Sequence, residues 1–333
     1  MVVNHCLVSG CTGFIGRHLV KALLGRGVTV RGLTRGPADD IPMPGVELRR
    51  GDLARPDTLA DITRDIDTII HAAGQAHAED ADDEVHRQTT VEGTRHLLAA
   101  AEVHSVQRFV FISSIKAMPE PGDACLDESD QRLPTDTYGL SRRKAEDLVL
   151  DAGRRTGMHV SILRPALVYG PGNKGNLFSM MHWINRGLFP PIPDTSNVRS
   201  MVDVRDLVQA ILLAAEKPAA NGKAFIITDN MNYSTHRIYA ALRSAFDKSV
   251  PPWSVPAGLL RVFGKAGDAY EAILRRPAPF NSDLCSRLLN SACYRSNCAE
   301  QDLGFRAEYS FEDAVSDMVD EYRNRRAMEQ ENG

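Results

Sequence analysis

Near its start the chain passes from an apolar stretch, Val2 to Ser9, through Gly10-Cys11-Thr12-Gly13-Phe14-Ile15-Gly16 and into a helical pattern over 15–26. A strand, a glycine at every third position and a helix leave few folds open. Gly10 allows a tight turn, and Gly13 lets backbone approach a diphosphate with no Cβ in the way. Gly16 lets the helix pack closely on the turn. The helix start then presents unpaired N–H groups to negative charge.

The same rhythm continues downstream. Short apolar runs at 6–9, 28–33, 46–50, 68–71, 109–113 and 160–164 alternate with helical patterns at 57–63, 85–103 and 138–156. Repeated strand–helix units predict an α/β fold, a Rossmann-type doubly wound parallel sheet over residues 1–165. The rhythm changes at Gly170-Pro171-Gly172. Residues 166–330 read as a smaller, mixed α/β substrate region that returns some elements to the sheet. Helical stretches there cover 177–186 and 207–216, and a strand-like run covers 224–228. The proline-bearing segment 251–279 reads as irregular loops around one short helix.

Composition narrows the function classes. With 43 acidic against 39 basic side chains the formal charge is −4, so no basic field marks a nucleic-acid partner. Arg142-Arg143-Lys144 reads as one solvated helix turn. Cys6, Cys11, Cys125, Cys285, Cys293 and Cys298 form no C-x-x-C pair and no zinc spacing, which fits reduced thiols, no metal and a cytoplasmic location. No apolar run reaches the roughly 20 residues that span a bilayer, and no membrane partner is expected.

The G-x-x-G-x-x-G spacing resembles the extended short-chain dehydrogenase/reductase family, and the resemblance covers most of the chain. It implies a nicotinamide cofactor held by Gly10, Thr12, Gly13, Phe14, Ile15 and Gly16. Asp52 and Leu53 resemble the family's adenine contact. His71-Ala72-Ala73-Gly74 resembles its fourth-strand motif, with Ala72, Ala73 and Gly74 lining the cofactor and His71 packed as structure. Pro165 completes the cofactor set. At the end of the second strand, 31–35, no acid is available for a ribose hydroxyl. Arg35 there suits a 2′-phosphate, which points to NADP(H), with NAD(H) as the alternative.

Phe111-Ile112-Ser113-Ser114-Ile115-Lys116 ends the fifth strand, and Tyr138-Gly139-Leu140-Ser141-Arg142 resembles the family's Tyr-x-x-x-Lys signature. Hydride transfer at a carbinol carbon needs a matching proton transfer at its oxygen. A tyrosine, with an ordinary pKa near 10, needs a fixed cation beside it to act as base. Ser114, rather than Ser113, is expected to hold the substrate oxygen. Arg142 stands where the family has Lys. A step of four residues turns about 40° past a full circle, so Arg142 shares the face of Tyr138, while Lys144 points elsewhere. Thr90 replaces the family's usual Asn. These departures leave a non-catalytic dinucleotide-binding module as an alternative of another class.

Dehydratases of the family carry Asp-Glu after the catalytic Ser or Thr. Here Ile115 and Lys116 occupy those positions, which argues against elimination. Ser114 to Lys116, the segment 172–181, the segment 287–291 and Asp302-Leu303-Gly304-Phe305 resemble bacterial 4-ketoreductases of UDP-N-acetylquinovosamine type. The implied substrate is a nucleotide-linked sugar touched by Ser114, Lys116, Asn176, Arg199 and Arg287. A UDP-sugar 4-epimerase is the alternative. The helices at 85–103 and 138–156 match the pair that makes a homodimer in relatives.

Overall fold

A computed structural model describes residues 2–36, 43–74, 87–122, 124–173, 175–276, 278 and 280–331. Its centre is a seven-stranded sheet in the order β10-β7-β5-β4-β1-β2-β3. The strands are β1 (His5–Ser9), β2 (Thr29–Thr34), β3 (Val46–Arg50), β4 (Thr68–His71), β5 (Arg108–Ile112), β7 (His159–Pro165) and β10 (Lys223–Ile227). Every pairing is parallel. Both faces are covered, so the central strands are apolar throughout; all five residues of β5 are buried.

Helices α1 (Phe14–Gly25) and α5 (Val204–Glu216) cover one face. Their apolar stripes meet the sheet in a core that includes Leu19, Leu23, Leu207 and Ile211. Helices α2 (Gly93–Val103) and α3 (Thr137–Thr156) cover the other face around Leu97, Phe109 and Val149. Asp136 caps α3 by accepting from the Gly139 nitrogen at 2.8 Å, and Gly157, at φ 75°, ends it. Chain order reverses between β1 and β4, and a ligand crevice belongs at their carboxyl ends.

The second half contributes β10 to the sheet and builds a separate core on α4 (Asn176–Asn185), α6 (Thr235–Ala245) and α9 (Phe311–Glu331). Two short parallel pairs lie outside the main sheet: β8 (Leu167–Tyr169) with β9 (Met201–Asp203), within the second half, and β6 (Cys125–Leu126) with β11 (Cys293–Tyr294), which joins the halves. Three expectations need correction. Residues 57–63 form only a 3-10 turn, Pro56–Leu59, because Pro56 starts it and no long apolar stripe follows. The segment 251–279 holds a long helix, α7 (Ala257–Leu274), rather than a short one; its prolines lie outside the helix. Residues 87–92 make a wide π turn before α2, and the expected helix start at 85 lies outside the described residues.

The expectation of six free thiols is also corrected. Cys125 and Cys293 form a disulfide, their Cα atoms 4.5 Å apart across the β6–β11 pair, at a sequence separation of 168. Spacing along the chain could not reveal it, since only the tertiary pairing brings the two Cβ atoms together. Cys6, Cys11 and Cys285 are buried free thiols, and Cys298 is half-buried. Thiol titration of unfolded protein is expected to count four groups without reductant and six of the chain's six cysteines after reduction. Six in both states contradicts the bridge.

Candidate active site

The chain leaves β1 through Gly10 at φ 73°. A Cβ on Gly10 would sit 2.8 Å from the Ala73 nitrogen, and one on Gly16 would overlap the Gly10 carbonyl. The turn is therefore drawn against the end of β4. Gly13 is the N-cap of α1 and no side chain caps that helix. Gly13 is exposed, and Thr12, Phe14 and Ile15 are half-buried. An uncapped helix start with a bare glycine edge fits the diphosphate of a dinucleotide. The loop after β8 leans over it: Pro171 gives its carbonyl to the His18 Nε2 at 2.8 Å, and a Cβ on Gly172 would meet the Phe14 ring at 3.4 Å.

Behind the turn runs a closed hydrogen-bond chain. The Ser9 hydroxyl accepts from the Ala73 nitrogen at 3.2 Å and meets His71 Nδ1 at 2.6 Å. His71 Nε2 meets the Thr94 hydroxyl at 3.1 Å, and that hydroxyl donates to the Thr90 carbonyl at 2.6 Å. Thr94 spends its proton on Thr90, so Nε2 carries the imidazole proton and Ser9 donates to Nδ1. Burial, helped by the charge of Arg142, lowers the His71 pKa from 6.5 to about 3. His71 is thus a neutral structural brace that fixes the Ala72–Ala73 backbone.

The other cofactor residues predicted from sequence fall along the same crevice. Arg35 follows β2 and is exposed. Arg50, not foreseen, stands opposite Thr34 in register and is also exposed, giving the β2–β3 edge a second guanidinium. Asp52 spends one carboxylate oxygen on the Ala54 nitrogen at 3.0 Å. The Leu53 carbonyl meets His96 Nδ1 at 2.7 Å. Pro165 ends β7 opposite Ile227.

The reacting groups converge at the carboxyl end of β5. Ser113 is buried and donates to Glu146 Oε1 at 2.6 Å. Ser114 is half-buried and accepts from the Lys116 nitrogen at 3.2 Å, which leaves its proton free to point outward. Tyr138 lies in the first turn of α3, which packs so closely on this segment that a Cβ on Gly139 would overlap the Lys116 carbonyl. Arg142 folds back under Tyr138, its guanidinium carbon 5.2 Å from the ring centroid. Its Nη1 donates to the Ile112 carbonyl at 3.3 Å, and Nη2 occupies the space a Cβ on Gly74 would need. Arg142 is 4% exposed. The basic triplet is therefore not one solvated turn: Arg142 is buried, Arg143 half-buried near Glu146 at 3.9 Å, and only Lys144 fully exposed. Among the described residues, Arg142 Nε and the buried Thr90 hydroxyl oxygen have no hydrogen-bond partner.

The substrate-side residues form a second group. Lys116 pairs with Glu120 at 2.7 Å. Glu120 also pulls on Arg199, whose pKa burial lowers, and on Tyr294, whose pKa burial raises. Arg199 is pinned by backbone bridges to Tyr233 and Ala292, and its Nη1 donates to the Asn290 carbonyl at 3.4 Å. Asn176 opens α4 and is exposed; Gly175, not Asn176, holds the cap position. Arg287, on α8 (Ser282–Leu289), is engaged by Asp283 at 2.7 Å on its own helix.

Sequence reading missed the support behind this site. Glu146, 1% exposed, takes a bidentate pair from Arg164 at 2.9 and 2.6 Å and the Ser113 hydroxyl besides. Arg164 also touches the Met118 sulfur at 2.8 Å. One ion pair thus ties α3, β5 and β7 behind the reacting groups. The only sequence signal was the spacing of Glu146 one turn beyond Arg142 on the same helix face.

Comparison with known proteins agrees with this geometry. The model of the NAD dependent epimerase/dehydratase family matches residues 6–228, and the chain belongs to that family. It is an enzyme of the extended short-chain dehydrogenase/reductase type, which sets aside the non-catalytic alternative. It is 32% identical over 271 residues to a UDP-glucose 4-epimerase of Vibrio cholerae, covering 78% of this chain and 81% of that one. It is 31% identical over 228 residues, 67% of each chain, to a 4-hydroxy-2-methyl-3-oxo-4-farnesyl-3,4-dihydroquinoline-1-oxide ketoreductase of Stigmatella aurantiaca. A crystal structure of UDP-glucose 4-epimerase from Thermotoga maritima shares the fold, with a TM-score of 0.76 at 21% identity over 96% of this chain and 99% of that one.

Two outcomes follow from the buried groups. Glu146→Ala leaves Arg164 charged and unpaired, so it is expected to cost about 3–5 kcal/mol in urea or thermal unfolding. Glu146→Met with Arg164→Leu should recover much of that; a neutral single variant contradicts the pairing. For His71, the unfolded chain binds a proton below 6.5 and the native state does not until about 3, so this group removes stability as pH falls through that window. Imidazole NMR should show His71 neutral at pH 5; titration near 6.5 contradicts its brace role.

Proposed function

We infer that the chain is a nicotinamide-dependent oxidoreductase that reduces the 4-keto group of a UDP-linked deoxy-amino sugar, with NADP(H) as carrier. The meeting of Tyr138, Arg142 and Ser114 beside the glycine turn is the observation that supports this most. The bound nicotinamide supplies the hydride. Ser114 donates a hydrogen bond to the substrate carbonyl oxygen and orients it, keeping its own proton. Tyr138 releases its phenolic proton to that oxygen as negative charge develops. Arg142 stabilises the phenolate left behind. Its own proton is fixed, so Tyr138 is recharged from water rather than through the guanidinium.

Ile115 and Lys116 carry no carboxyl group for elimination, which favours simple carbonyl reduction over dehydration. Arg35 and Arg50, with no acid at the end of β2, favour a 2′-phosphate on the carrier. Arg199, Lys116 and Asn176 offer cationic and amide donors for a nucleotide diphosphate, and Arg287 would have to exchange its pairing with Asp283 to join them. UDP-glucose is named for the Vibrio relative; this supports a UDP-sugar substrate and favours a second reading, a 4-epimerase using the same three side chains in both directions. A homodimer through α2 and α3 is part of this proposal.

Incubation with NADPH and a UDP-4-keto-6-deoxy-HexNAc tests both readings. Reduction predicts one NADPH consumed per alcohol formed. Epimerisation predicts interconversion of UDP-sugars with no net change in cofactor. If neither NADPH consumption nor sugar interconversion is seen, the proposal is overturned. Tyr138→Phe is expected to lower kcat by about 10²–10⁴ with cofactor affinity retained, and Arg142→Lys to keep or raise turnover. Arg199→Ala should raise KM for the UDP-sugar; an unchanged KM removes that role. Tighter binding of NADH than NADPH removes the role given to Arg35.

A further inference from the structure

Helix α7 is docked on the molecule by one narrow face. Leu260 and Gly264 are its buried residues. A Cβ on Gly264 would lie 3.1 Å from the Ser282 Cα, and one on Gly267 would overlap the Phe280 carbonyl. This glycine-lined strip lets α7 sit close against α8 and the turn before it. The rest of the helix projects outward.

At about 100° per residue, Leu259, Val262, Phe263, Tyr270, Ile273 and Leu274 fall within about 120° of arc on the flank beside the docked face, with Val262 and Ile273 farthest from it. All are exposed: Ile273 is 78%, Val262 59% and Phe263 51% accessible. Trp253, just before the helix, is 61% accessible. Six large apolar side chains on one face of one helix form a contiguous patch, unlike the scattered exposed Leu or Val that any surface tolerates.

The charges around the patch are sorted. The two acids of α7 point back to the body of the protein: Asp268 accepts from the Ser282 nitrogen at 2.9 Å, and Glu271 Oε1 accepts from the Ala278 nitrogen at 2.8 Å. On the polar flank, Lys265 lies about 60° and Arg261 about 100° beyond the Val262 edge of the stripe, and Arg275 and Arg276 follow its C-terminal end; all four are exposed. Among the described residues none of these cations has an ion-pair partner. The chain as a whole carries −4, so this concentration of positive charge is local.

We propose that α7, with Trp253, lies in the surface of an anionic lipid bilayer, its apolar stripe among the acyl chains and its cationic border against the headgroups. An apolar face with large aliphatic and aromatic side chains and a Lys/Arg border is the pattern of an interfacial helix. Trp253 and Tyr270 have the apolar body and polar tip that suit the headgroup level. No helix among the described residues is long and apolar enough to cross a membrane; a helix lying on the surface needs no such length. A second copy of the chain is a poorer occupant, because two-fold docking on this face would bring the same cationic border against itself. Helix α8, on which α7 rests, leads into the Asn290 carbonyl that holds Arg199. The bilayer would therefore lie against the substrate side of the molecule.

Flotation of the full-length protein with vesicles tests this directly. Vesicles of phosphatidylcholine with phosphatidylglycerol should carry the protein upward, phosphatidylcholine alone much less, and high salt should weaken the first. Val262→Glu with Ile273→Glu should reduce the floated fraction at least tenfold, while thermal midpoint and NADPH affinity, neither of which depends on the sugar substrate, stay unchanged. Arg261→Glu with Lys265→Glu should reduce binding to the anionic vesicles selectively. In a Trp183→Phe background Trp253 is the sole tryptophan of the chain's two, and its emission should shift to the blue when anionic vesicles are added. Absence of flotation by intact protein overturns the proposal. So does flotation that survives Val262→Glu with Ile273→Glu. Light scattering that shows a dimer converted to monomer by the same pair, without vesicle binding, assigns the face to a second copy instead.

Discussion

The buried guanidinium of Arg142 is the constraint around which the site is arranged. It enters from α3, reaches the carbonyl at the end of β5, fills the space left by Gly74 beyond β4 and lies beneath Tyr138. A cation this enclosed must be satisfied by carbonyls, π faces and ligand oxygens, since a carboxylate partner would cancel the charge that the tyrosine needs. Burial, with this charge added to it, keeps His71 neutral. The hydrogen-bond chain from Ser9 to Thr90 ties the end of β1 to the end of β4 and to the start of α2, beside the glycine turn.

A second framework stands behind the first. Glu146 and Arg164 form a pair almost fully removed from water, and Glu146 also takes the proton of Ser113. The two adjacent serines at the end of β5 thereby divide their work: one is tied inward, and the other is left with an unspent proton facing the crevice. The buried pair holds Ser113, and so the strand end from which Ser114 follows, against α3 and β7.

Much of this arrangement was legible along the chain because it is local. Strands 46–50 and 68–71 coincide with β3 and β4, and the Gly10–Gly16 turn sits between β1 and α1 as its spacing implies. The i, i+4 step likewise puts Arg142 under Tyr138. What escaped is non-local. The Cys125–Cys293 bridge and the Glu146–Arg164 pair join residues whose closeness exists only after the sheet and the second half have met. The helix over 257–274 is longer than the short one expected in this segment, because the prolines that suggest breaks lie around the helix and not within it. Its outward apolar face and inward glycines also invert the pattern expected of a core helix. The residues expected to hold substrate fall between these cases: Arg199 feels the charge of Glu120, which pairs with Lys116, whereas Arg287 is occupied by Asp283.

The central claim is spatial, and a crystal structure with NADPH and UDP bound measures it most directly. The account predicts the Tyr138 phenolic oxygen within about 3 Å of a nicotinamide-ribose hydroxyl, the Arg142 guanidinium on the same ribose, and the Ser114 hydroxyl facing the space above the nicotinamide ring. A Tyr138 side chain turned to bulk water, or a dinucleotide whose ribose is held without Arg142, contradicts it.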